Sequence, residues 1–113
     1  MTEENHNQGL DDALELGGNI VLNGFKGIDG STMIIVKKMV GNYVRRFAER
    51  AERFESLNLH IKPIHLNGNS KKFELKAKLL DNGKVFNSEI VDKNLFIAVD
   101  TALKKIESER FRK

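Results

Sequence analysis

The sequence predicts an α+β domain in which a four-stranded sheet carries two helices packed on one face, in the order β-α-β-β-β-α. Three observations predict it. Apolar residues recur at helical spacing over 32–54 and again after residue 92; "LNLHIK" (57–62) and "KFELKAKL" (72–79) alternate strictly; and "DNG" at 81–83 joins the second alternating run to "KVFNSEIV". Each strand then has one apolar face and each helix one apolar stripe, so a single core forms when both helices lie against the same side of the sheet.

The opening "MTEENHNQGLDDALELGG" is polar, acidic and closed by two glycines. Residues 1–18 are therefore expected to be an acidic, disordered tail, with "DDALEL" at most a short helical turn, and residues 19–113 to be a single domain. "NIVLNGF" is β-prone, and "KGIDGS" is a Gly-rich turn from which Asp29 or Ser31 can cap the first helix. That helix is predicted over about 32–54, with Val36, Val40, Tyr43, Phe47, Ala51 and Phe54 on one stripe and Lys38, Arg45, Arg46 and Arg53 opposite. Gly41 interrupts it at a cost of about 1 kcal/mol relative to alanine.

In the next strand Leu57, Leu59 and Ile61 face one way and Asn58, His60 and Lys62 the other; Pro63 is expected to end it or to mark an edge, with "HLNGNS" as a loop. The alternation resumes with Phe73, Leu75, Ala77 and Leu79 inward and Lys72, Glu74, Lys76 and Lys78 outward. Asp92 is the expected cap of the closing helix, whose stripe is Leu95, Phe96, Val99, Ala102, Leu103 and Ile106. Phe25 and Phe86 have no obvious place, and Ile35, Ile97 and Phe111 lean outward as minor partner contacts.

Composition narrows the function classes. With no cysteine, a disulfide framework, a thiolate metal site and a cysteine nucleophile are excluded, and a reducing, cytoplasmic setting is the simplest expectation. No apolar run approaches the roughly 20 residues that span a bilayer, so no membrane association is expected. His6, His60 and His65 lack metal-ligand spacing, and the glycines at 24, 27 and 30 match neither a dinucleotide fingerprint nor a P-loop. The expectation is a non-enzyme without cofactor or metal.

Charge is the informative feature. The net charge is +3, but residues 1–18 hold five acids and no Lys or Arg, which leaves 19 cations against 11 acids, +8, on residues 19–113. Such a body favours a polyanion. Lys38, Arg45, Arg46, Arg53, Lys76, Lys78, Lys93, Lys104, Lys105 and Arg112, spread over both helices and a strand, are read as one RNA-binding surface that holds phosphates without reading bases. A plain solvated face is the competing reading of such charges.

The stretch "FELKAKLLDNGKVFNSEIVDKNLFIAVDTALKKIES", with Asp92, Phe96, "AVD" at 98–100 and "KIE" at 105–107, resembles the ribosome hibernation-promoting factors, also called ribosome-associated translation inhibitors. "LNGFKGID" is similar to that family's first strand and turn, and the resemblance covers roughly residues 19–113. It implies a non-enzymatic protein that docks on the small ribosomal subunit, in the channel used by mRNA and tRNA, and blocks translation under stress. By the same resemblance Lys105 matches a family basic residue, Lys104 adjoins it, Ser108 stands where the family often has Arg or Lys, and the chain is a short form without the long-form dimerisation domain. Ribosomal RNA is then the expected partner, with no preference for DNA. Two alternatives remain open: a general structured-RNA module resembling a double-stranded RNA-binding domain, and a protein-interaction domain whose acidic tail covers the basic body.

Overall fold

The computed structural model describes residues 14–15, 19–65 and 71–111. The elements are β1 (Leu14–Glu15), β2 (Ile20–Asn23), α1 (Gly30–Arg50), β3 (Phe54–His65), β4 (Lys71–Asp81), β5 (Lys84–Asp92) and α2 (Leu95–Phe111). The main sheet is mixed and ordered β2-β3-β4-β5: β2 and β3 run parallel across α1, and the other pairs are antiparallel. The predicted β-α-β-β-β-α order is therefore present. β1 adds two residues to the β2 edge, pairing Leu14 with Leu22 and Glu15 with Val21, where the sequence predicted at most a helical turn. The rest of the expected tail, residues 1–13 and 16–18, and the expected loop at 66–70 lie outside the described residues.

One core joins the layers. Leu22, Leu57, Leu59, Ile61, Leu75, Ala77 and Leu79 form its sheet side; Val36, Val40, Tyr43 and Phe47 of α1 and Ala98, Val99, Ala102, Leu103 and Ile106 of α2 close over them. Phe25 is buried in this core and Phe86 packs against it, which places both aromatics. Phe111 also turns inward, 5.6 Å from Phe47 between ring centroids, so it is no outward contact; Ile35 and Ile97 do remain exposed.

Three boundaries differ from the local pattern. α1 stops at Arg50 rather than near Phe54, because Ala51 turns to ψ 149° and the Arg53 amide is captured by Asp81, so that Phe54 reaches the core from a strand. Pro63 lies inside β3 rather than ending it. Its partner is Phe73 on β4, whereas β2 pairs no further along β3 than His60, so among the described residues no strand lies at the edge where proline lacks a donor. Finally, Asn94 caps α2: its Oδ1 accepts the Ile97 amide at 3.0 Å, while Asp92 accepts the Asn94 amide at 2.8 Å and shapes the approach to the helix.

Two turns depend on glycine. Asn82 (φ 52°) and Gly83 (φ 79°) close the two-residue β4–β5 hairpin in the left-handed region. Gly24 (φ 84°) lies where a Cβ would overlap the Ile61 carbonyl oxygen, so β2 leaves the sheet against the β3 backbone.

Candidate nucleic-acid interface

The helix layer carries the first cationic surface. α1 buries Met33, Val36, Val40, Tyr43 and Phe47, and helical periodicity sends Lys38 and Arg45 to the opposite, exposed side. On α2 the buried stripe through Val99, Leu103 and Ile106 leaves Lys104 and Lys105 in solvent. Lys104 lies 3.4 Å from Asp100, yet its side chain is 67% exposed, so the contact is a screened surface pair that leaves the ammonium accessible. Lys105 lines a groove with Asn87, Ser88, Thr101 and Ser108 along the outer flank of α2.

Between the helices the polar groups hold one another. The Tyr43 hydroxyl donates to Asp100 Oδ1 at 2.6 Å; Arg46 donates twice to Glu107, 2.9 Å from Nε and 2.9 Å from Nη2; Arg50 donates to the Phe111 carbonyl. Because these contacts step forward together along both helices, α1 and α2 run in the same direction. Burial, and then the neighbouring Asp100 carboxylate, pushes the Tyr43 phenol up to about 12. Tyr43 in turn holds Asp100 below the usual carboxylate range, and Arg46 does the same for Glu107. Arg46 was expected on the phosphate-facing side. It lies on the flank toward α2, stacked 4.5 Å from the Tyr43 ring centroid and engaged by both carboxylate oxygens, and braces the two helices while its side chain stays 49% exposed.

Lys76 and Lys78 correct the single-patch expectation. Both alternate with buried Leu75, Ala77 and Leu79, so they point from the sheet face that the helices leave uncovered. There Lys78 lies between Asn58 and Asn87, and Lys76 between His60 and Glu89; these six residues line a shallow groove of about 390 Å³. Lys62 and Lys72 join them on this face, partly offset by Glu74. The cations thus form two surfaces on opposite sides of the domain rather than one. Arg53 is exposed in the α1–β3 connection, Lys93 lies in the β5–α2 turn, and Arg112 is outside the described residues.

Sequence reasoning missed the Asp81–Arg110 pair. Asp81 reads as the first residue of a solvated turn, yet it is fully buried, with Oδ1 accepting the Arg53 amide and Oδ2 accepting Arg110 Nε, each at 2.8 Å. The available signal was an arginine beside Phe111 at the end of an apolar stripe, which marks a guanidinium drawn toward the core. His60 lies on the open sheet face; His6 and the side chain of His65 fall outside the described residues. Among the described residues no group of three His, Cys, Asp or Glu could hold a metal ion, and no helix is long and apolar enough to cross a membrane. No protein-family model and no curated protein matches this chain, so its functional reading rests on the placement of these side chains.

Proposed function

We propose that this protein is a ribosome-binding translation inhibitor of the hibernation-factor type, which occupies the mRNA/tRNA channel of the small subunit in the cytoplasm and acts by excluding ligands rather than by chemistry. The observation that carries this reading is the display of Lys38, Arg45, Lys104 and Lys105 on the solvent side of two helices braced in parallel by Tyr43–Asp100 and Arg46–Glu107. Flexible cations on a rigid pair of helices can follow phosphates without reading bases. The phenylalanines are buried in or packed against the core, which disfavours stacking on splayed bases and favours recognition of backbone and shape. The β-α-β-β-β-α order and the resemblance over "FELKAKLLDNGKVFNSEIVDKNLFIAVDTALKKIES" support the ribosome as the target of this polyanion surface.

The test is co-sedimentation with purified small subunits, with a generic RNA duplex as competitor. Saturable one-to-one binding that the duplex does not displace is expected. With about six phosphate contacts, affinity falls on the order of a thousandfold between about 50 and 200 mM salt. The paired reversal Arg45→Glu with Lys105→Glu should weaken binding at least about tenfold, whereas Lys76→Glu with Lys78→Glu, on the other face, should leave most of it. The opposite ranking would move the interface to the open sheet. Equal affinity for the duplex would make the protein a general RNA-binding module, and binding to neither would reduce both surfaces to solvated faces.

A further inference from the structure

β2 is covered by β1 at one edge of the sheet, but β5, nine residues long and free of proline, has no neighbour on its outer side among the described residues. A long open strand normally carries some device against pairing. This one presents Val85 and Val91, each half exposed, at either end of a strand centred on Ser88. Read outward from Ser88, "KVFNSEIVD" is self-complementary in the antiparallel sense: Asn87 mirrors Glu89, Phe86 mirrors Ile90, Val85 mirrors Val91 and Lys84 mirrors Asp92.

From this relationship we infer that β5 is a homodimerisation edge, paired antiparallel with β5 of a second copy about a two-fold axis through Ser88. The backbone phase agrees. Asp81 and Lys84 close a two-residue hairpin, so that pair and every second pair beyond it exchange hydrogen bonds with β4. Val85, Asn87, Glu89 and Val91 therefore aim their amides and carbonyls away from β4. In the mirrored register these same residues meet one another, Val85 with Val91 and Asn87 with Glu89, so every outward donor finds an outward acceptor. A register shifted by one residue would set outward groups against inward ones.

The side chains agree as well. Val85 and Val91 of the two copies cover each other on the open face, Asn87 can donate to Glu89, and Lys84 meets Asp92 with opposite charge. The interface is isologous, the same patch on both copies, as closed two-fold symmetry requires. A groove lined by Asn87, Ser88, Thr101, Lys105 and Glu109 runs between this edge and the outer flank of α2, so the helix does not cover the outward side of β5. The product is one continuous sheet with the helices of both copies on the same side, because the axis runs perpendicular to the sheet.

Sedimentation velocity on the full chain between about 1 µM and 1 mM tests this, since weak specific pairs fall in that range. A species of twice 12.8 kDa is expected. Val85→Lys with Val91→Lys places like charges opposite each other at exposed positions and should weaken dimerisation at least about tenfold with an unchanged circular dichroism spectrum. The chain has no cysteine, so Ser88→Cys introduces a single thiol beside the axis. Mild oxidation should cross-link it far faster than the exposed Lys62→Cys control on the central strand. A monomer throughout the range, a dimer unaffected by the lysine pair, or equal cross-linking of both thiols would each overturn the inference.

Discussion

Asp81 and Arg110, 29 positions apart, meet at 2.8 Å where the end of β4, the last turn of α2 and the α1–β3 connection converge. The carboxylate has no exposed surface, and the guanidinium lies 5.0 Å from the Phe86 ring centroid, so apolar contact and charge hold the same joint. Burial by itself would raise the Asp81 pKa; the Arg53 amide and the Arg110 guanidinium outweigh it and hold the carboxyl below its usual range.

Replacing Asp81 with alanine should therefore be among the most destabilising changes near the surface. The Arg53 amide alone, left without its acceptor, costs about 1–3 kcal/mol, and the Arg110 guanidinium, left with Glu52 at 3.5 Å in place of its buried 2.8 Å partner, adds to this. Urea unfolding followed by circular dichroism checks it. A midpoint within error of wild type would mean that water replaces the carboxylate and that the joint contributes little.

The same carboxylates predict the acid limb of stability. Asp81, Asp100 and Glu107 have folded pKa values below their ordinary 3.8, 3.8 and 4.5. Their contribution is fully present above those ordinary values and disappears as pH falls through the lower folded ones. Stability should accordingly be flat in this respect near neutrality and fall below about pH 4. Asp81→Asn should flatten the fall, as measured by urea midpoints across pH; an unchanged slope would remove Asp81 from the titrating set.

Tyr43 is the chain's one tyrosine, and there is no tryptophan, so phenolate absorbance reports this site alone. The folded protein should titrate near 12, and the unfolded chain near the ordinary 10. Because the folded value is the higher, the associated stability is fully present below pH 10 and is lost as pH rises toward 12. Asp100→Asn should lower the folded value, and Tyr43→Phe should cost about 1.5–3 kcal/mol by removing a hydrogen bond to a charged acceptor. Titration near 10 in the native state would show that the helices are not joined through this contact.

Two glycines separate backbone strain from crowding. Gly83→Ala meets open space and carries only the left-handed penalty of about 1–2 kcal/mol, whereas Gly24→Ala carries that penalty and also drives a Cβ against the Ile61 carbonyl. Gly24→Ala should lower the urea midpoint clearly more than Gly83→Ala. Equal effects would mean that the β2 exit yields without disturbing β3.

Much of the architecture follows from periodicity alone. Two-residue alternation in 57–62 and 72–79 and helical spacing in 36–47 and 95–106 assigned the inward residues correctly, because the direction of a side chain from a strand or helix is a local property of the backbone. The turn at Asn82–Gly83 was legible for the same reason: its residue types match the dihedral angles it needs. Ends of elements were less so. Nothing local distinguishes Arg50 from Phe54 as the last residue of α1, since the stop depends on Asp81, brought in from the far end of β4. Surface membership was legible only in part. Helices on the apolar side of the sheet already set Lys78 on the face opposite Arg45, but whether Arg46 is free depends on Glu107, 61 positions away. Local pattern thus assigned which side chains point in and which point out. Folding added the pairings that no local pattern holds, Arg46 with Glu107 and Asp81 with Arg110, because partners 61 and 29 positions apart meet only through long-range packing.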